Sequence, residues 1–380
     1  MKPVDELSYL YEKIYRRLVD EITSGIRSPG DKLPTELELA NEYGVSRITS
    51  KKALNMLAQQ GLVVRKRGLG TFVSLPSKKA PAPRAARPSF SLRDPGNKRL
   101  GLIMEDLGES YSLGLFYEIE RQATRLGFQV CLGISYGDQG TERDALHKLL
   151  ALNICGLIVM PAHGSYYDTD LLRLVLDHFP VVLIDRPLNG IPAPSVYSDN
   201  EDGAYQLAQF LISKGHRNIV YISTNIAEAI SLEDRFRGYE RAMVQNGLKA
   251  QLPVVIPRLA RFGLNSGKIP EEHMEKEDFI CRWLTEHPEV TAVIGSEYGI
   301  AHLARQAAGK LQKKVPRDLA ICCFDAKYGY LGEYDFTHIH QDETAIASNA
   351  LEVIAAMLDG KNMRRQTRLI PARFMEGPTT

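Results

Sequence analysis

A run of basic side chains without acidic neighbours marks the front of the chain. No Asp or Glu occurs between Tyr43 and Arg93. The uncompensated cations in the first part of that span are Arg47, Lys51, Lys52, Arg65, Lys66 and Arg67. Such an imbalance is typical of a surface that neutralises phosphates. A solvated basic face on an ordinary helical domain is the alternative interpretation.

Two helices and a hairpin are the elements that must position these cations. The segment LPTELELA opens a helix, because Pro34 suits a first turn and carboxylates follow it. A turn at Tyr43–Val45 leads to a second helix from Ser46 to about Gln60, which Gly61 ends. Two short β-type runs, LVVRKR and GTFV, flank the tip at Gly68–Gly70. A helix-turn-helix with a β-wing places its second helix in the major groove of DNA.

The net charge is distributed unevenly along the chain. Residues 1–99 hold 19 Lys and Arg against 10 Asp and Glu, a net +9, and residues 100–380 hold 28 against 36, a net −8. A basic front and an acidic back indicate two tasks, one of them involving a polyanion. No apolar run approaches 18 residues and the start lacks a secretory core, so we expect a cytoplasmic protein without a membrane partner. Five cysteines without CxxC or CxxH spacing are expected to be reduced core residues.

The hydrophobic pattern predicts an α/β protein in three parts. Residues 1–75 form the winged helix-turn-helix domain, and residues 76–98, rich in Pro, Ala and basic side chains, form an exposed linker. In residues 99–380 short apolar strands alternate with amphipathic helices, which predicts parallel sheets covered on both faces. The elements are too many for one small sheet, so we expect a two-lobed body for effector binding and dimerisation. Ligands bind beyond the carboxyl ends of the strands in such sheets.

The first 75 residues resemble the winged helix-turn-helix domain of GntR-type bacterial regulators. The motifs PGDKLPTELELA, GVSRITSKKAL and GLVVRKRGLGTFV carry the resemblance, in this order. It implies base or phosphate contacts from the second helix and a wing that reaches the minor groove. The residues predicted to contact DNA are Thr35, Arg47, Thr49, Ser50, Lys51, Arg67, Gly68 and Gly70. Leu37 and Lys51 stand where the family commonly has Arg, and Lys cannot make the planar bidentate contact of Arg, so the family's operator sequence does not transfer.

Residues from about 99 to 376 resemble the sugar-binding domain of the lac repressor class, itself similar to periplasmic sugar-binding proteins. The motifs are LIDRP, VYSDN, KGHRNIVYIS, DRFRGY, CCFDA and IHQD. Together with the head, they resemble the arabinose-repressor arrangement. The resemblance implies effector contacts from Tyr111, Asp185, Arg186, Arg235, Glu297, Asp325 and Gln341.

Alternatives to some of these effector contacts remain open. Plain ion pairs between the lobes are the alternative for Asp185, Arg235 and Asp325. A hinge hydrogen bond fits Asp199 as well as a ligand contact does. Glu297 departs from the family, which usually has Asn-Asp where this chain reads Ser-Glu. The departure weakens any transfer of the ligand's identity.

No catalytic constellation is recognisable in the sequence. The histidines are scattered, and HExxH, GxSxG and Walker-type motifs do not occur. We therefore predict that the chain is not an enzyme and needs no cofactor. His338 and His340 would share one face of a strand, as a metal pair or, in the interpretation we favour, as ordinary buried or surface histidines. We predict no metal site.

These observations predict a ligand-responsive transcription regulator. The expected form is a repressor of carbohydrate-use genes released by a monosaccharide, with an arabinose-like pentose as first guess. The expected partners are double-stranded operator DNA, the small-molecule effector and a second copy of the chain, since helix-turn-helix heads usually read paired half-sites. The alternatives are a transport-type solute-binding protein and a regulator that senses a small molecule other than a sugar.

Overall fold

A computed structural model of the protein describes residues 14–15, 17–22, 24–59, 62–66, 70–74, 98–108, 111–162, 169–188, 193–226, 229–256, 271–327, 335–363 and 366–380. The chain divides into two compact units. One comprises Met1–Ser91, Tyr167–Pro180 and Leu188–Ala193, and the other comprises Leu92–Tyr166, Val181–Pro187 and Pro194–Thr380. The predicted linker lies outside the described residues except for Lys98. None of the helices within the described ranges has the length and hydropathy that crossing a bilayer requires.

The head, residues 14–74, has the helix, turn, helix and hairpin that the sequence predicts. Residues 14–15 and 17–22 are helical, and they are followed by α1 (Glu36–Tyr43), α2 (Arg47–Gln59), β1 (Val63–Lys66) and β2 (Gly70–Val73). The two strands pair antiparallel as the wing. The buried core draws on the first helical segment, α1, α2 and both strands: Ile14, Tyr15, Leu18, Val19, Leu33, Leu39, Ala53, Leu54, Leu57, Val63 and Val73.

Local signals set both ends of α1. The Thr35 hydroxyl accepts a hydrogen bond from the Glu38 N–H, and the Glu38 carboxylate accepts one from the Thr35 N–H. This reciprocal capping box satisfies two donors that the helix itself cannot use. The helix ends at Gly44, whose φ of 62° lies in the left-handed region that glycine adopts without steric cost.

The first lobe of the body is built on a parallel sheet, as predicted. Its strands are β3 (Arg99–Met104), β4 (Gln129–Ile134), β5 (Gly156–Val159), β6 (Val181–Ile184), β7 (Ser195–Ser198) and β13 (Thr367–Ile370). Their order is β13-β7-β6-β5-β3-β4. The helices α3 (Ser112–Arg125) and α10 (Glu343–Leu358) share an apolar core with this sheet, and α4 (Gln139–Ala151) follows β4. The helix α5 (Thr169–Leu176) falls in the first unit.

The second lobe repeats this plan. Its strands are β8 (Ile219–Ser223), β9 (Val254–Val255), β10 (Ala292–Gly295), β11 (Ala320–Phe324), β12 (Thr337–His340) and β14 (Arg373–Met375), in the order β14-β12-β11-β10-β8-β9. β12 and β14 pair antiparallel and the other neighbours pair parallel. Two apolar clusters cover the sheet, one with α6 (Asn200–Ser213) and α7 (Ile230–Gln245), the other with α8 (Glu271–Glu286) and α9 (Tyr298–Lys310).

Three crossings join the two lobes within the described part of the chain. The first crossing follows β7 at Asp199, and the second follows β12 at Gln341 and Asp342. The third lies between β13 and β14. Asp199 connects two of them, because its N–H donates to the carbonyl oxygen of Ile370 at 2.9 Å while its carboxylate caps α6. These bonds match the hinge hydrogen bond that the sequence left as the alternative for Asp199.

Candidate functional site

The outer face of α2 presents cations to solvent. The side chain of Arg47 is 73% exposed, and its Nε lies 3.2 Å from the Oε2 of Glu36. Lys51 is exposed one turn later, and α2 itself contains no acidic residue. A pair of this kind is weak in water, so Arg47 can exchange Glu36 for a phosphate. Their contact with DNA remains a prediction.

Two neighbouring positions on α2 do not face outwards. Ser50 is fully buried, and its hydroxyl donates to the carbonyl oxygen of Glu36 at 2.6 Å. Thr49 is 7% exposed, and its hydroxyl lies 2.8 Å from that of Ser46 at the start of the helix. Both hydroxyls are thus used inside the head, and the DNA contacts predicted for Ser50 and Thr49 remain predictions. Ser50 stands three and four residues before Ala53 and Leu54, so helical periodicity already put it on the core face.

The remaining predicted DNA contacts divide into described and undescribed positions. Thr35 is exposed, but its hydroxyl is used in the cap of α1. Gly70 begins β2 with a φ of 121°, and a Cβ added there would lie 2.7 Å from the Cε of Lys32. Glycine is therefore required at this end of the wing. Arg67 and Gly68 lie outside the described residues.

In the body, a carboxylate follows a central strand in each lobe. Asp185 comes directly after β6 and Asp325 directly after β11. Both have left-handed backbones, with φ values of 69° and 59°. This conformation costs energy in residues other than glycine, although Asp tolerates it better than most, and it recurs at ligand sites. Repetition at equivalent strand ends marks both positions as functional candidates.

Arg186 is held between two carboxylates. Its Nη2 lies 2.9 Å from the Oε2 of Glu105, and its Nε lies 3.1 Å from the Oδ2 of Asp185. Arg186 and Glu105 are both buried. Loss of either Arg186 or Glu105 would leave a buried charge uncompensated, so the two hold each other in place beside Asp185. A direct contact of Arg186 with an effector remains a prediction.

Arg235 joins three elements of the second lobe. Its Nε donates to the Oδ1 of Asn200 at the start of α6, and its Nη1 donates to the carbonyl oxygen of Ser296 after β10, both at 2.7 Å. Its guanidinium carbon lies 3.8 Å from the centre of the Phe324 ring. The side chain is buried, and its charge acts on Asp325. The two hydrogen bonds and the ring fix the direction in which the guanidinium points.

Asp325 and Gln341 form a buried pair beside Arg235. The Nε2 of Gln341 donates to the Oδ2 of Asp325 at 2.8 Å. Burial raises the pKa of Asp325 to about 7; the charge of Arg235 and the Gln341 bond oppose the rise, and Asp185 adds to it. The Asp325 Oδ1 and Gln341 Oε1 have no hydrogen-bond partner within the described residues. Buried acceptors without partners cost about 1–3 kcal/mol each, so a ligand that supplies donors would relieve this cost.

Tyr111 brings the first lobe to the same space. It lies at the start of α3, its side chain is buried, and its hydroxyl has no hydrogen-bond partner within the described residues. Burial raises its pKa well above the usual value, and the charges of Asp185, Asp325 and Glu343 raise it further while Arg235 opposes them. The structure therefore brings Tyr111 together with three predicted residues from both lobes.

Glu343 belongs to this group, although the sequence did not single it out. It is the first residue of α10, and its Oε2 lies 3.3 Å from the Nε2 of His340. A Cβ added to Gly114 would lie 3.2 Å from its Oε1, so its side chain reaches α3. Burial raises the pKa of Glu343 to about 8, with Asp325 adding to the rise. An acidic residue in the first turn of a helix is usually explained by its interaction with the helix dipole. For this reason no sequence signal marked Glu343 as part of the site.

Glu297 is less closely tied to the other residues. It precedes α9 and makes no side-chain capping bond, and its side chain is partly exposed. Its charge acts on the phenol of Tyr221. Ser296, one residue earlier, is the position that contacts Arg235, through its carbonyl oxygen. The effector contact predicted for Glu297 remains a prediction.

The two histidines of β12 have other partners than a metal. The Nδ1 of His338 lies 2.9 Å from the carbonyl oxygen of Phe336, and burial lowers the pKa of His338 to about 4. The rings of His338 and His340 meet edge to face, with centroids 6.1 Å apart. Among the described residues, no three His, Cys, Asp or Glu side chains lie close enough to hold a metal ion.

Family models match both parts of the chain. Residues 10–73 match the bacterial regulatory proteins of the gntR family, and residues 208–380 match the periplasmic binding protein-like domain. The chain is 25% identical over 358 residues to the arabinose metabolism transcriptional repressor of Geobacillus stearothermophilus, covering 93% of this chain and 92% of that one.

Solved structures show the same fold for the body. A putative ribose operon repressor from Burkholderia thailandensis superposes with a TM-score of 0.61 at 24% identity, over 73% of this chain and 99% of that one. The transcription regulator CcpA of Lactococcus lactis gives 0.62 at 19% identity, over 75% and 99%. The chain thus joins a gntR-type helix-turn-helix head to a periplasmic-binding-protein-like body and is a DNA-binding transcription regulator.

Proposed function

We propose that this regulator is a homodimeric repressor of carbohydrate-use genes. Its effector is a monosaccharide bound among Tyr111, Asp185, Arg235, Asp325 and Gln341, and an arabinose-like pentose is the first candidate. The observation that carries the proposal is the convergence of buried charged and polar groups from both lobes, with the Tyr111 hydroxyl and two acceptors left without partners in the described chain. The names of the arabinose and ribose operon repressors support a pentose.

The chemistry of these groups suits a sugar. A sugar hydroxyl both donates and accepts, so neighbouring hydroxyls can donate to a carboxylate and accept from a guanidinium at once. Asp185 and Asp325 supply acceptors, and Arg235 supplies donors held in a fixed direction. Few polar groups in otherwise buried surroundings are the usual composition of a specific small-molecule site.

Binding between the lobes gives a route to regulation. A sugar that contacts both lobes favours the arrangement in which they are closest, and the three crossings are where the chain can bend. We propose that closure alters the dimer so that its heads no longer match the paired half-sites. Thermodynamic linkage then requires that sugar and operator weaken each other's binding by the same factor.

A two-stage experiment tests the function. Thermal unfolding is measured with a panel of pentoses, hexoses and uronic acids, since a bound ligand raises the unfolding temperature. The active sugars are then titrated into a complex of the protein with a DNA duplex selected from random sequence, followed by fluorescence anisotropy. We expect at least one pentose to stabilise the protein and to lower its affinity for DNA.

The variant Arg235→Met should lose the sugar response, and Arg237→Met provides a matched control. Arg237 lies on the same helix, but its side chain is 56% exposed and pairs with Asp234 and Glu201. The control should respond like the wild type. If no sugar shifts the unfolding temperature and none changes the affinity for DNA, the proposed function is wrong.

A further inference from the structure

The pocket around Glu343 is rich in acidic groups. The negative charges of Asp185, Asp325 and Glu343 raise the pKa of the Tyr111 phenol. The positive charge of Arg235 lowers it. The other nearby guanidinium, that of Arg186, is already paired with Glu105 at 2.9 Å. The space between the lobes therefore holds more negative charge than positive charge once its carboxyls are ionised.

The neighbours of Glu343 do not neutralise it. His340, at 3.3 Å, has its pKa lowered by burial, so it is uncharged at neutral pH. Arg373 lies 3.2 Å from the carboxylate of Asp342, and its charge lowers the pKa of Glu343 less than Asp325 or Asp342 raises it. Asp325 and Asp342 both oppose the ionisation of Glu343.

Independent evidence for a ligand comes from atoms that are not on Glu343. The Tyr111 hydroxyl, the Asp325 Oδ1 and the Gln341 Oε1 lack hydrogen-bond partners within the described residues. Each belongs to a side chain that is more than nine-tenths buried. The Gln341 Oε1 can only accept, and the Asp325 Oδ1 accepts once its carboxyl is ionised, so the complementary group on a ligand is then a donor.

We propose that Glu343 is a specificity-determining residue of this pocket, which selects uncharged sugars and excludes their uronic acid and phosphate forms. The inference rests on the proposed sugar pocket. Glu343 accepts from a sugar hydroxyl, and its charge repels a carboxylate or phosphate at the same end of the ligand. At about 6 Å and an effective dielectric constant of about 20, the repulsion between two such charges corresponds to roughly 100-fold in affinity.

The pH dependence distinguishes this role from a structural one. Glu343 ionises near pH 8 and Asp325 near pH 7, whereas uronic acids stay ionised above about pH 5. Discrimination against the acid should therefore strengthen between pH 6.5 and 8.5. The groups that face Glu343 are Tyr111, Asp325, His340, Asp342 and Arg373.

Titration calorimetry on the full chain provides the test. The probes are L-arabinose, D-xylose, D-galactose and D-glucose, each hexose paired with its uronate, together with L-arabinose 5-phosphate and D-glucose 6-phosphate, at constant ionic strength. The variants are Glu343→Gln, Glu343→Asp and a control, Glu352→Gln. Glu352 lies on the same helix, but it is 62% exposed and pairs with Arg368.

The wild type should bind an uncharged sugar about 100-fold more tightly than its acidic form at pH 8.5, and less selectively at pH 6.5. Glu343→Gln should remove most of this ratio, since about 100-fold is the repulsion from the Glu343 charge alone, and should weaken its pH dependence. Glu343→Asp should keep the exclusion, and Glu352→Gln should match the wild type.

Equal binding of sugar and acid by the wild type, or unchanged selectivity in Glu343→Gln, would overturn the inference while leaving the sugar pocket in place. If Glu343→Gln does not fold, the test rests on Glu343→Asp. This variant keeps the negative charge, so if it binds uronic acids and sugar phosphates as tightly as sugars, the inference is wrong. Failure of every uncharged sugar to bind the wild type overturns the proposed function, and this inference with it.

Discussion

Replacing Asp325 by Asn should stabilise the body at alkaline pH while weakening sugar binding. Burial raises the pKa of this carboxyl from 3.8 to about 7. The folded protein thus retains a proton that the unfolded chain releases. The free energy of unfolding therefore falls as the pH rises from 3.8 to about 7, and the loss is complete above that range. A rise of this size corresponds to about 4 kcal/mol at pH 8.

The asparagine variant avoids this loss because it has the shape of the protonated acid. Its amide oxygen can still accept the hydrogen bond from Gln341, so the pair shown at 2.8 Å is retained. Its second group is a donor instead of an acceptor, so it no longer complements a sugar hydroxyl that donates. Stability and function are therefore expected to change in opposite directions.

Urea unfolding at pH 5, 6, 7 and 8 measures the effect. We expect the variant to be more stable by about 1.6 kcal/mol at pH 5 and by up to about 4 kcal/mol at pH 8. Asp278→Asn is the control, since Asp278 also lies in the second lobe but is 62% exposed beside Lys310. Its effect should stay within about 0.5 kcal/mol at every pH. Parallel pH profiles of wild type and Asp325→Asn, or a less stable variant at pH 8, would refute the reasoning.

Three further predictions concern other contacts. Ser50→Ala should lower the stability of the head by about 1–2 kcal/mol in thermal unfolding, since a buried hydrogen bond to the carbonyl oxygen of Glu36 is lost, and should leave the salt dependence of DNA binding unchanged. Lys51→Ala should instead weaken binding to all DNA sequences and reduce the slope of log affinity against log salt by about one; a change in slope for Ser50→Ala would contradict the distinction. Gly238→Ala should lower the free energy of unfolding in urea by about 1–3 kcal/mol, because an added Cβ would lie 2.9 Å from the N of Tyr205 and overlap the carbonyl oxygen of Glu201. Wild-type stability of this variant would show that α6 and α7 can move apart without cost. 

The sequence predicted those parts of the protein that depend on local pattern. The turn expected at Tyr43–Val45 ends α1 at Gly44, and the continuous apolar runs of β5, β6, β10 and β11 become fully buried strands. Asp185 and Asp325 were expected at strand ends and are found there. These features could be predicted because side-chain periodicity and strand termini are properties of a few neighbouring residues.

Position on a helix face was only partly readable from the sequence. The basic residues of α2 were correctly placed near its N-terminus, but Thr49 and Ser50 were assigned to the DNA-facing side with them. Ser50 is buried against α1, where its hydroxyl donates to the carbonyl oxygen of Glu36. Which polar residue of a helix is turned towards a neighbouring helix depends on how the two pack, and this is decided by tertiary structure.

By itself, the sequence determined the order of elements, the charge of the head and the strand-end residues of the body. Only the tertiary structure decided which of those residues meet. Tyr111 and Glu343 are more than 200 positions apart, yet α10 returns to pack against the first lobe after the chain has built the second. That return places Glu343 beside Tyr111 and Asp325, and long-range packing of this kind leaves no local trace in the sequence.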